Sequence, residues 1–113
     1  MLALVGVGGA IGAVLRYMIG EWLPSGFPWG TLTVNLLGSL ILGIIVGMSL
    51  SAEMGLLLGT GVMGAFTTMS AYSVDLVELF ENSEYGPAMS YLLLTLLGCP
   101  ILAYGGMKIM QTA

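Results

Sequence analysis

Four long apolar runs divide the chain, and the polar residues inside them recur at the three- and four-residue intervals that a helix gathers onto one side. The first run extends from about Leu2 to Ile19 and the second from about Trp29 to Met48. The third starts near Met54, is broken around Gly64–Thr68 and resumes to about Phe80, and the fourth runs from about Met89 to Lys108. Each run approaches or exceeds the ~20 residues a bilayer-crossing helix needs. Pro24, Gly26 and Pro28 mark the first turn, and Asn82, Ser83, Glu84, Gly86 and Pro87 mark the last loop. The pattern predicts an all-α membrane protein, a single four-helix domain over residues 1–113, with the third helix interrupted.

The interruption falls in the stretch around which the chain is organised, GTGVMGAFTTMSAYSVD, Gly59–Asp75. Three glycines, a Thr-Thr pair and two serines crowd into this apolar setting. Non-helical backbone at membrane depth is tolerated only where protein or a water-filled cavity receives it. Thr67 and Thr68 are suited to satisfying loosened carbonyls, and Met69, Ser70, Tyr72 and Ser73 fall on one face of the resumed helix. In the second span Thr31, Asn35 and Ser39 form an i, i+4, i+8 row. Thr and Ser can bond back to their own helix. Asn35 carries two donors and an acceptor, and serves either to join helices or to present donors to a ligand. A similar row in the fourth span is Tyr91, Thr95 and Cys99, where the thiol also suits a small apolar filler. Gly8 and Gly12, with Ala10 and Val14, give the first span a small-residue stripe for close helix packing.

Composition excludes most soluble functions. Of the 113 residues 58% are hydrophobic and 7% charged, and mean hydropathy is +1.03; soluble domains carry about 25% charged residues. The lipid bilayer is therefore the expected surrounding. Four short spans leave little interior for a polar path, so function at the interface of an oligomer is expected. The net charge of −4 and the two bases, Arg16 and Lys108, exclude a nucleic-acid surface. With no histidine and one cysteine, neither a side-chain metal cluster nor an intrachain disulfide is available, and no catalytic constellation stands out. The N-terminal run lacks a preceding positive region and reads as a first span rather than a cleaved signal. Tyr17, Trp22, Phe27 and Trp29 suit an interfacial belt. Beside them, Arg16 either snorkels or supplies positive potential at a pore mouth. A proton-coupled small multidrug exporter needs an intramembrane carboxylate. The first span has none between Leu2 and Gly20 and the second has none, while Asp75 and Glu78 lie toward the end of the third, where caps or interface contacts account for them.

With these pieces in place the chain resembles the Fluc (CrcB) family of fluoride channels. GGAIGAVLRY (Gly8–Tyr17) is similar to the family's first-span pattern. WGTLTVNLLGSLILG (Trp29–Gly43) carries its GT-x-x-VN-x-x-G motif, and GTGVMGAFTTMSAYS matches its broken third helix. The resemblance implies a passive fluoride-selective channel subunit, not an enzyme, that exports fluoride across the cell (plasma) membrane. It further implies an antiparallel, dual-topology dimer with two narrow pores at the interface. A structural Na⁺ at the dimer centre would be held by the carbonyls of Gly64 and Thr67. The implied pore residues are Asn35, Ser70, Met69, Tyr72, Tyr91 and Thr95, with Arg16 at the vestibule. At the positions of the family's two box phenylalanines stand Met69 and Tyr72. Tyr72 keeps a ring and adds a hydroxyl, whereas Met69 keeps only a polarisable thioether. A homodimer is the expected assembly, and a heterodimer with a homologous chain is the alternative. One base toward each side gives no positive-inside bias, as dual topology requires.

Overall fold

The computed structural model describes residues 1–23 and 27–112; the turn residues Pro24 and Gly26 lie outside them. The elements are α1 (Leu2–Trp22), α2 (Trp29–Gly47), a short α3 (Ala52–Met54) running into a π-helix (Gly55–Met63), α4 (Gly64–Phe66), α5 (Met69–Glu81) and α6 (Tyr85–Thr112). No strand occurs among the described residues. Four helical spans are long and apolar enough to cross a membrane, the third being Ala52–Glu81 with its break included. The molecule measures 47 × 31 × 20 Å, and its long axis suits a bilayer of about 40–45 Å with headgroups.

The helix ends follow local chemistry. Ser51 caps α3 by accepting from the Met54 amide. Thr68 caps α5 in the same way through the Ala71 amide. The last turn is tighter than the residues Asn82 to Pro87 suggest, because α6 already starts at Tyr85. Gly86 and Pro87 sit in its first turn, where a missing N–H removes no helical bond. Ser83 takes the left-handed backbone that closes the turn (φ 58°). Further along, α6 continues through Pro100.

Span three changes partners at its break. Its first half, the π-helix and α4, packs on α1, while α5 turns to α6, and α2 lies along α6. Glycines set the separations. A Cβ on Gly12 would overlap the Val62 carbonyl, and one on Gly8 would overlap the Leu57 carbonyl and come within 2.9 Å of the Gly61 Cα. The α1 backbone therefore rests directly on the π-helix, the packing predicted from the Gly8 and Gly12 stripe. On the other side Gly43 and Gly106 let α2 and α6 meet backbone to backbone.

Two small cores result. Val34, Met63 and Phe66 form one, and Leu32, Tyr72, Leu79, Ala88 and Tyr91 form the other. At most 28% of any span is buried within the chain, which leaves most apolar side chains for lipid or another subunit.

Candidate functional site

The break in span three consists of two residues. Thr67 (φ −79°, ψ 151°) and Thr68 (φ −148°, ψ 119°) are extended between α4 and α5, so the break predicted over Gly64–Thr68 occupies only its last two positions. Asn35 holds it there. The Thr68 amide donates to Asn35 Oδ1 at 2.8 Å, and Asn35 Nδ2 donates to the Thr68 carbonyl at 3.2 Å. One side chain thus bonds both backbone groups of Thr68, the residue that caps α5, as a facing strand would. Asn35 is buried, 6% exposed, where unpaired backbone groups are costly. In a continuous helix the Thr68 amide would bond the Gly64 carbonyl; taken by Asn35, it leaves that carbonyl free of its helical donor. Thr67 adds a second tie, donating from Oγ1 to the Met63 carbonyl at 3.1 Å. Gly38 makes room, since a Cβ there would overlap the Thr67 methyl. Of the two roles open to Asn35, joining helices is realised, and its second Nδ2 hydrogen is left over.

A cleft of about 320 Å³ opens beside this joint, lined by Asn35, Ser39, Thr67, Met69, Tyr72, Thr95 and Cys99 among others. Tyr72 and Thr95 are 6% and 7% exposed, yet neither hydroxyl has a hydrogen-bond partner among the described residues. Buried hydroxyls are nearly always paired; two orphans on one cleft wall are donors awaiting an acceptor. Met69, by contrast, is 68% exposed at the cleft mouth.

The structure separates some residues that spacing alone groups together. Met69 and Tyr72 face this cleft, whereas Ser70 opens on the opposite side of α5, with Arg16, Thr68 and Asp75 around a second cleft of about 380 Å³. Ser70 Oγ lies 3.1 Å from Thr68 Oγ1. Ser73 bonds back to the Met69 carbonyl at 2.9 Å. Arg16 reaches the break from the α1 side, and its Nε is buried without a hydrogen-bond partner among the described residues. Tyr91 is fully buried and does not line the first cleft; its hydroxyl donates to Asp75 Oδ2 at 3.3 Å. Its ring packs on Tyr72, with centroids 5.1 Å apart. Asp75, read from sequence as a helix-end acid, is thus the acceptor for a buried tyrosine. The signal available was the hairpin itself, which folds residues 75 and 91 to one level. Gly64 is exposed and lines a third cleft with Gly59 and Thr60 beside α2. Among the described residues no group of three or more His, Cys, Asp or Glu side chains is placed to hold a metal.

Comparison with known proteins agrees with this architecture. The family model described as CrcB-like protein, Camphor Resistance (CrcB), matches residues 3–107. A relative from Agrobacterium fabrum named fluoride-specific ion channel FluC is 42% identical, over 96% of this chain and 94% of the relative. Namesakes from Nautilia profundicola and Thermus thermophilus are 44% and 41% identical, over 96% and 94% of this chain and 91% and 90% of their own lengths. These relatives are named as channels and not as enzymes. With four membrane-spanning helices, a broken third span and a match to nearly its whole length, the chain is a multi-pass membrane protein that belongs to the CrcB family, the family of the fluoride-specific ion channels FluC.

Proposed function

We propose that this chain is a subunit of a passive fluoride channel of the cell membrane, working as an antiparallel dimer with the ion paths at the subunit interface. The observation that carries the proposal is the pair of buried, partnerless hydroxyls of Tyr72 and Thr95 on the cleft that Asn35 also lines. A fluoride ion entering a narrow path must exchange its water for other donors, and donors already desolvated and unpaired lose nothing when they turn to it. The spare Asn35 N–H and the electropositive ring edge of Tyr72 extend the same service. Ser70 and Arg16, on the second cleft, would raise the local anion concentration where that cleft meets water. Chloride is excluded where the path is too narrow for it with its water. Fluoride that enters acid-exposed cells as HF and dissociates inside would then leave down the membrane potential.

The shallow burial of every span supports a dimer, since the clefts need a second wall. A central Na⁺ is the remaining part of the proposal. Hard cations take oxygen ligands, and the Gly64 carbonyl, released by Asn35, together with that of Thr67 would supply two from each subunit. The test is fluoride efflux from liposomes holding only this chain, followed with an external fluoride electrode. Rapid, potential-driven efflux is expected, and Met69→Phe should alter its rate.

Met69 gives a specific reason for one other reading. A flexible, exposed thioether at the first box position fits a chain that supplies half of a heterodimeric pore. In that case efflux appears only after co-expression with a second homologous chain.

A further inference from the structure

Two sulfur-bearing side chains, Met69 of α5 and Cys99 of α6, line one cleft. Cys99 is the only cysteine of the chain and is unbridged, and it lines this cleft together with Met69. The hairpin fixes their relative heights. The Tyr72 and Tyr91 rings meet at one level, tilted at 53° with centroids 5.1 Å apart. Met69 precedes Tyr72 along α5, and Cys99 follows Tyr91 along the antiparallel α6, so both lie on the same side of that level. At ~1.5 Å per residue, Met69 sits ~4.5 Å and Cys99 ~12 Å below it. Helical side chains lean toward their own N-terminus. Met69 therefore points down, toward Cys99, and Cys99 points up, toward Thr95 and Met69. The flexible thioether closes the remaining offset. Between them in height lies Thr95, which lines the same cleft and whose buried hydroxyl has no partner among the described residues.

We propose that Met69 and Cys99 form a two-sulfur site for a soft monovalent cation of the Cu(I) class, and that filling it closes the polar path. Thiolate and thioether donors select such ions, whereas Mg²⁺ and Ca²⁺ require carboxylates that the cleft lining lacks. Binding involves no redox step. The cation forms a bond to Cys99 Sγ, the thiol proton leaves to water, and Met69 Sδ donates a lone pair as the second ligand. Thr95 is placed to bond a water held by the ion. Closure of the path rests on the channel function proposed above; binding does not.

Silver nitrate in chloride-free buffer is the probe, applied to the purified full chain. One Ag⁺ per chain should survive desalting, and Cys99→Ser should retain none. Met69→Leu should weaken retention by about tenfold or more, the scale of losing one supporting group at a metal site. In liposomes, stoichiometric Ag⁺ should stop fluoride efflux by the unsubstituted chain, and should not slow Cys99→Ser further, whatever that variant's own rate. Equal retention by Cys99→Ser overturns the site, and unchanged affinity in Met69→Leu removes Met69 from it. Bound silver with undiminished efflux overturns closure. A chain that carries no fluoride even without silver counts against the channel function, while the retention arm still decides the site.

Discussion

Replacing Asn35 by alanine isolates the joint on which the break depends. The substitution removes the 2.8 Å bond from the Thr68 amide and the 3.2 Å bond to the Thr68 carbonyl together. Leaving the Thr68 amide unsatisfied costs ~1–3 kcal/mol and losing the second bond, to the carbonyl of this α5 cap residue, about 1 kcal/mol more, so the loss is about 2–4 kcal/mol. Local opening of the Thr68 amide should become about 30- to 700-fold more frequent, at 1.4 kcal/mol per tenfold. Amide hydrogen exchange in detergent or nanodiscs, resolved at Thr68, reads this directly. The Thr68 amide has one other route to a partner, the Gly64 carbonyl, which would re-form the helix. That change would turn α5 and separate the Tyr72 and Tyr91 rings, so the near-ultraviolet dichroism of the tyrosines must be recorded alongside. Either faster exchange or an altered tyrosine spectrum is expected. If both stay unchanged, Asn35 does not hold the break. Asn35→Asp keeps the acceptor and loses the donor, with an anion of its own beside the path. It should assemble as a dimer and abolish fluoride flux.

Other outcomes follow from the same geometry. Gly12→Ala places a methyl on the Val62 carbonyl and should destabilise by the upper part of ~1–3 kcal/mol or beyond, whereas Gly6→Ala, inside α1 with nothing within 4 Å, should raise the unfolding midpoint slightly, by the ~0.5–1 kcal/mol that a helix interior favours Ala over Gly. Tyr91→Phe removes a buried bond to Asp75, about 1 kcal/mol, and should lower stability while flux persists. Thr95→Val should do the reverse, since its hydroxyl has no partner to lose: stability holds or rises, and flux falls about tenfold or more if a bond to the ion worth ~1.5 kcal/mol disappears. C-terminal reporter fusions should report both orientations in comparable amounts, and a single orientation would refute the charge argument.

The four spans were legible because membrane helices announce themselves by length and hydropathy, and the break was legible because hydroxyls and glycines crowd it. Asn35 stood out for a similar reason, as an amide at membrane depth. Its partner did not. Residues 35 and 68 meet only through the crossing of α2 with the broken span, a tertiary fact that spacing along one helix cannot contain. The division of Met69 and Tyr72 from Ser70 has the same origin, since α6 covers one side of α5 and the Arg16 side chain of α1 reaches the other. The π-helix at Gly55–Met63 was not foreseen. Its apolar and small residues read equally well as α-helix, and its close rest on Gly8 and Gly12 is a contact between helices that the residues of the stretch alone do not contain.

The two extended residues of span three also reshape its electric field. An uninterrupted helix carries its dipole ends at the two membrane surfaces, where water and headgroups screen them. Breaking the span at Thr67 and Thr68 moves an additional pair of ends into the interior. The first-turn amides of α5 lend roughly half a positive charge to one side of the joint, and the terminal carbonyls of α4 and the π-helix lend roughly half a negative charge to the other. At that depth neither is screened as it would be in water. The span thereby places an anion-favouring pole and a cation-favouring pole two residues apart without any ionised side chain, and a substitution that healed the helix would erase both together.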